Sequence, residues 1–187
     1  MDTHTQNWVV LKFGGTSVKS LADWRVISKR IGELREQGKR VFIVHSAVAT
    51  ISDLLDTLVA KSVSGEGEAE LEAIKARHLE LATELGVDGE TLLAPCFEEL
   101  TRLRAGLALT GDVSPRLKAR IMAQGELMST TLGQAWLERD GTASAWLDAR
   151  DHLAAIHAAG ARGYLACDCA CERDEHLTGM LADLPPV

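Results

Sequence analysis

Aromatic residues are scarce in this chain of 187 residues, at 4%. Single-stranded nucleic acids are held largely by stacking bases on aromatic side chains, so the composition argues against nucleic acid as a partner. Positive charge is also short. Lys and Arg number 20 against 27 Asp and Glu, giving a net charge of −7 and a pI near 5.4. No bulk basic field is available to attract nucleic acid or an anionic membrane. Any anion must be bound by a local site. Long apolar runs are missing too: none approaches the ~20 residues of a membrane span. The polar start, Met1 to Gln6, lacks the form of a secretory signal. Cysteines number four, and three crowd into Cys167-Asp168-Cys169-Ala170-Cys171, with Cys96 alone. Secreted frameworks space their cysteines more evenly, so a reducing cytoplasm is expected. Zinc sites usually space paired cysteines by about two to four residues, so this cluster, even with His176 nearby, is a poor metal site.

What is present is ordinary for a globular protein, with 46% hydrophobic and 25% charged residues. The length suits one domain, or a large piece of one. The apolar run Trp8-Val9-Val10-Leu11 reads as a strand buried on both faces. It leads into Lys12-Phe13-Gly14-Gly15-Thr16-Ser17-Val18. A lysine is costly to bury unpaired, and two glycines leave the backbone bare for a ligand. Hydroxyls follow, then Ser20-Leu21-Ala22-Asp23, the form of a helix start. Together these features make a phosphate cradle. The lysine precedes the glycines, unlike a P-loop, and no Gly-x-Gly-x-x-Gly is present. A plain Gly-Gly turn with Lys12 in solvent is the competing reading.

Periodicity places a helix from Ser20 to about Gln37, then a strand over Arg40–Val44. Strand, helix and strand form a βαβ unit with parallel strands. The second strand ends in His45-Ser46-Ala47, and Ser52 is placed to start the next helix. Ligands of doubly wound sheets sit at the C-terminal strand ends, so topology sets Ser46 and Ser52 beside Lys12. Ser52 as a mere N-cap and His45 as a strand filler remain open. Further helices are expected at 68–85 and 95–110, with His78 on the apolar stripe as a core residue. Ser114-Pro115 opens another helix running to about Glu138. Around Glu126 that helix carries only small or uncharged residues, which predicts an enclosed carboxylate in need of a partner. An ion pair with Arg116, Lys118 or Arg120 is one solution, a ligand amine another. Ala143–Leu147 reads as a strand, closing on Asp148 and Asp151 as N-cap and N3 of a short helix. A short strand near 163–166 and a weak helix near 174–183 complete the pattern.

Three stretches carry a resemblance. Lys12-Phe13-Gly14-Gly15-Thr16-Ser17-Val18, the Ser46-Ala47…Ser52-Asp53-x-Leu55 joint, and Gln124-Gly125-Glu126-Leu127-Met128-Ser129 resemble the aspartokinase signatures in order. Aspartokinases are amino-acid kinases that phosphorylate the β-carboxylate of L-aspartate with ATP. The resemblance implies an α/β fold, a partial amino-acid-kinase-like sandwich with a mostly parallel sheet flanked by helices. It implies Lys12 as the catalytic cation, and Lys12, Phe13, Gly14, Gly15 and Ser46 around the ATP phosphates. Ser52 and Glu126 would bind aspartate, and Mg²⁺ would arrive with the nucleotide. Two departures stand out: Ser52 replaces a threonine, and Thr50 stands where glycine is usual.

Residues 1–187 would then be the aspartate-binding part, ending before the nucleotide-binding half and any ACT domains. Alone, such a piece is expected to be inactive and to self-associate through an exposed sheet edge. The Val44-His45-Ser46-Ala47 and Arg77–Gly86 stretches resemble, more narrowly, bifunctional aspartokinase/diaminopimelate decarboxylases. A different amino-acid kinase, and a non-catalytic amino-acid or anion-binding module, are the alternatives.

Overall fold

The structure, a computed structural model, describes residues 7–151. The expected strand at 163–166, the helix at 174–183, the three clustered cysteines and His176 lie outside those residues. The chain divides into two compact units, Met1–Thr142 and Ala143–Val187. In the first, β1 (Trp8–Phe13) and β2 (Arg40–His45) pair in parallel, from Trp8 opposite Arg40 to Phe13 opposite His45. Between them runs α1 (Leu21–Glu36), as the sequence predicts. Four more helices follow: α2 (Ile51–Ser62), α3 (Glu68–Leu85), α4 (Gly89–Thr110) and α5 (Pro115–Arg139). Helix α2 packs on α3, α4 and α5. One continuous core joins them, from Trp24, Ile27 and Ile31 through Leu55, Leu58 and Ile74 to Met128 and Leu132.

Local chemistry explains most boundaries. Ser20 caps α1 by accepting from the Asp23 N–H, while its hydroxyl donates to the Asp23 carboxylate at 2.6 Å. Ser114 caps α5 at the Leu117 N–H, with Pro115 in the first turn where no N–H is needed. Gly86 ends α3 at φ 68°, a left-handed position that glycine fills without a Cβ clash. Arg139 of α5 donates to the Leu85 carbonyl at 3.0 Å, so one side chain ties two helix ends together.

Several expectations need correction. The strands are not buried on both faces: Val10 is 57% exposed and Val44 43%. Each strand has one partner among the described residues, and α1 and α5 are the helices packed against β2. Residues 143–147 are not in a ladder, so the strand read there is not one. No α-helix opens at Asp148 within the described residues; Ala149–Asp151 is a 3-10 turn. Asp148 accepts from the Arg150 backbone N–H and from its guanidinium. Helix α4 starts at Gly89, not 95, because Asp88 caps it through the Thr91 N–H. Pro95 sits inside this helix at the cost of one backbone hydrogen bond. Finally, α2 starts at Ile51, and its N-cap is Thr50 rather than Ser52. Thr50 has φ 75°, the only non-glycine positive φ among the described residues, and its side chain makes no capping bond. A β-branched residue is strained there, which is the physical reason for glycine at such a joint.

His78 is a core residue, as its place on the apolar stripe predicts. Its side chain is fully buried, Nδ1 lies 2.8 Å from the Ile74 carbonyl, and Nε2 has no hydrogen-bond partner. Burial lowers its pKa from 6.5 to about 4. The unfolded state therefore binds the proton first. Stability from the neutral ring is complete above pH 6.5 and is lost as pH falls toward 4. That loss is worth about 2–3 kcal/mol between pH 7 and pH 4.5. His78→Leu is expected to remove this increment while changing stability at pH 7 by less than about 1.5 kcal/mol. Urea unfolding at both pH values checks it; equal acid losses in both proteins would contradict it.

Candidate functional site

Lys12, Phe13, Gly15 and Glu126 meet at one peptide unit, the link between Ser46 and Ala47. Strand pairing continues one step past β2, where the Ser46 N–H donates to the Phe13 carbonyl at 3.1 Å. This fixes the two strand ends side by side. The Lys12 ammonium then donates to the Ser46 hydroxyl at 3.3 Å. Lys12 is exposed, and no carboxylate pairs with it among the described residues. A cation held by a neutral hydroxyl keeps its charge available to an anion.

After Phe13 the chain makes a 3-10 turn, Gly15–Ser17, closed by Ser17 N–H donating to Gly14 O at 2.9 Å. Gly14 faces open space, whereas Gly15 is pressed against the β2–α2 joint. A Cβ on Gly15 would lie 2.4 Å from the Ala47 carbonyl oxygen and 3.0 Å from the Ala49 nitrogen. Glycine is therefore required here by close approach, and the Ala49 N–H donates to Gly15 O at 3.1 Å. One part of the expected cradle is corrected. The N-terminus of α1 is already filled: the Leu21 N–H donates to Glu84 Oε1 at 2.9 Å, and Ser20 takes the Asp23 N–H. The open space beside Gly14, not the α1 terminus, is what the cradle leaves for a ligand.

Glu126 reaches the same joint from α5. Its Oε1 accepts from the Ala47 N–H at 3.3 Å. The expected enclosure is not found, since Glu126 is exposed. The ion pair is not found either, because Lys118 pairs with Asp56 and Arg120 with Glu99. Burial stops short of Glu126 because the buried stripe of α5 runs through Ile121, Gln124, Gly125, Met128 and Ser129. Gly125 sets the approach. A Cβ there would stand 2.8 Å from the Ala47 Cβ and 3.3 Å from Ile51 Cγ2. Glu126 and Ser52 are the next residues along from that contact. Ser52 lies in the first turn of α2, exposed, with no hydrogen-bond partner for its hydroxyl among the described residues.

Two neighbours were not legible as site residues. His45 is buried with Nδ1 3.1 Å from Ser129 Oγ and 3.3 Å from the Ser46 carbonyl. Burial lowers its pKa from 6.5 to about 4, so the ring is neutral near pH 7. Trp24 stacks edge-on against it at 5.2 Å and fills the notch left by Gly133 on α5. The glycines at 125 and 133 were the available signal, since glycine inside a helix costs about 1 kcal/mol and marks a close approach. No group of three or more His, Cys, Asp or Glu suited to a metal occurs among the described residues.

This arrangement has known relatives. The model of the amino acid kinase family matches residues 7–174. The chloroplastic aspartokinase 2 of Arabidopsis thaliana is 32% identical over 145 residues, covering 75% of this chain and 26% of the relative. An aspartokinase of Chlamydia trachomatis is 36% identical over 124 residues, covering 66% and 26%. The chain thus spans about a quarter of the length of these curated relatives. Among solved structures, E. coli aspartokinase III in complex with aspartate and ADP, in its R-state, superposes with a TM-score of 0.66. Identity there is 29%, over 77% of this chain and 32% of that one. Strand order, the joints at Lys12 and Ser46, and a family match over most of the sequence agree: the chain belongs to the amino acid kinase family.

Proposed function

We propose that this chain carries the aspartate-binding part of an aspartokinase, with residues 1–187 forming the amino-acid and phosphate end of its kinase domain. The reaction moves the γ-phosphoryl group of ATP to the β-carboxylate of L-aspartate. A carboxylate oxygen forms the new bond to phosphorus, the bond to the β-phosphate oxygen breaks, and ADP leaves. The observation that carries this reading is the meeting of Lys12 and Glu126 at one joint, through Ser46 Oγ and the Ala47 N–H. A cation and a carboxylate with no ion-pair partner among the described residues, held apart by a backbone unit, suit a zwitterionic substrate approaching a phosphate.

Phosphoryl transfer needs positioning and charge neutralisation more than covalent participation by the protein. Lys12 would contact the transferring phosphoryl group. The backbone at Phe13, Gly14 and Gly15, with the Ser46 hydroxyl, would hold phosphate oxygens; the space beside Gly14 leaves room for them. Glu126 would take the α-ammonium of aspartate, and Ser52 would bind the same substrate through its hydroxyl. Mg²⁺ supplies charge neutralisation for phosphate oxygens, and in this reading it arrives bound to ATP. A cytoplasmic setting, lysine biosynthesis and self-association belong to the same proposal. The Gly-Glu-x-Met-Ser form of α5 favours aspartate over other amino-acid acceptors.

A lysine about 4 Å from a unit charge contributes about 4 kcal/mol at an effective dielectric of 20. Realised in the transition state, that is about three decades in rate. Lys12→Ala in the full-length protein is therefore expected to lower acyl phosphate formation, trapped with hydroxylamine, by about a thousandfold. Aspartate affinity should change little. A variant retaining more than about a tenth of wild-type turnover would return Lys12 to a surface role.

Glu126→Gln keeps the shape of the side chain and its acceptor oxygen for Ala47, but removes the charge. Hydrogen bonds to charged groups are worth about 1.5–3 kcal/mol. Titration calorimetry is expected to show L-aspartate bound about 10- to 100-fold more weakly by the variant, with an unchanged circular dichroism spectrum. Equal affinities would remove Glu126 from the site. Preference for L-glutamate over L-aspartate would favour a different amino-acid kinase. Binding without any acyl phosphate in the full-length protein would favour a non-catalytic module.

A further inference from the structure

The Ser46–Ala47 peptide is held at both ends. Its N–H donates to the Glu126 carboxylate at 3.3 Å. Its carbonyl lies 3.3 Å from His45 Nδ1. The same ring nitrogen is 3.1 Å from the hydroxyl of Ser129, which sits on α5 three residues beyond Glu126. One helical turn of α5 therefore grips this peptide twice, directly through Glu126 and indirectly through Ser129 and His45. A carbonyl can only accept, so contact with Ser46 O requires the proton on Nδ1. Trp24 closes the other side of the ring, and the indole N–H is itself anchored on the Val18 carbonyl at 3.2 Å. His45 is 8% exposed and Ser129 1%, so neither is free to meet a substrate.

We infer that His45 is a positioning residue: in its Nδ1–H form it orients the Ser46–Ala47 peptide and, with Ser129, fixes the offset between the Ser46 hydroxyl and the Glu126 carboxylate. The inference rests on the aspartokinase reading for its substrate, but the clamp itself does not. Rotation of that peptide would turn the Ala47 N–H away from Glu126, and the carboxylate would lose its fixed place relative to the Ser46 hydroxyl. Misplacements on the order of 1 Å can cost about a hundredfold in rate when they move reacting groups. Burial, which holds the ring neutral at neutral pH, is consistent with a ring that donates from one nitrogen only.

The experiment compares the wild type with His45→Leu, His45→Asn and Ser129→Ala. An asparagine amide can place an N–H near the position of Nδ1, whereas leucine cannot. The first readout needs no ligand: amide exchange at Ala47, followed by NMR. Protection of Ala47 is expected to fall at least about tenfold in His45→Leu and Ser129→Ala and to recover in His45→Asn. The second is L-aspartate affinity by calorimetry, expected to weaken about tenfold in the first two variants and by less than threefold in His45→Asn. Ser129→Ala, a small buried change, guards against a leucine variant that fails to fold. Unchanged Ala47 protection in both His45→Leu and Ser129→Ala overturns the clamp. Unchanged aspartate affinity in those variants overturns its role in positioning. A wild type that binds no aspartate contradicts the proposed function instead, and the Ala47 readout then decides the clamp alone.

Discussion

Ala47 is trapped between two backbones that carry no side chain at the point of contact. Gly15 approaches from the β1–α1 connection and Gly125 from α5, and a Cβ on either would lie 2.8 Å or closer to an atom of Ala47. This double close approach makes the site a single object. Lys12 belongs to β1, Ser46 and Ser52 to the β2–α2 joint, and Glu126 to a helix almost eighty positions further on. Sequence distance between them is bridged because glycine removes the one atom that would hold the segments apart. The hydrogen bonds from Ser46 to Phe13, Ala49 to Gly15 and Ala47 to Glu126 are possible only at that spacing.

The core behind the joint is arranged to hold this spacing. Trp24 presses into the notch at Gly133 and lies 6.0 Å from Trp136, so α1 and α5 are locked two turns below Glu126. Ile51 and Leu55 of α2 pack with Ala47 against Gly125. Neutral His45 sits between these layers and joins the apolar packing to the polar joint. Energetically the division is clear. Apolar burial positions the elements, at about 25 cal/mol per Å², while the few polar contacts choose among closely related positions. Thr50 is the point at which this arrangement stores strain, with a β-branched residue in a left-handed conformation beside the first turn of α2.

Much of this was legible in the sequence. The βαβ unit followed from two β-branched runs flanking an amphipathic helix, and α3 and α5 followed from their periodicity and from the Ser114-Pro115 cap. Lys12, Ser46, Ser52 and Glu126 were placed together by strand-end topology and by motif resemblance. Other features were not legible, for physical reasons. Apolar strands look alike whether one or two faces are covered, so the exposure of Val10 and Val44 could not be read. A proline at 95 masked the start of α4 because Asp88 caps the helix seven residues before it. The surroundings of Glu126 suggested enclosure because small residues lie beside it, yet Gly125 serves contact with Ala47, Gly133 contact with Trp24 and Ser129 contact with His45, and the carboxylate stays exposed. His45 and Ser129 are 84 positions apart, and no local pattern links a strand-end histidine to a helical serine.

Gly125→Ala is the most direct test of the close approach. Alanine is the better helix former by about 1 kcal/mol, so the substitution strengthens α5 intrinsically. Its Cβ nevertheless collides with the Cβ of Ala47 and must push α5 away from the joint. The decisive measurement is L-aspartate affinity of Gly125→Ala by titration calorimetry, alongside its helical circular dichroism. Full helicity with binding weakened at least tenfold is the expected result. Full helicity with wild-type affinity would contradict the dependence of the site on that contact.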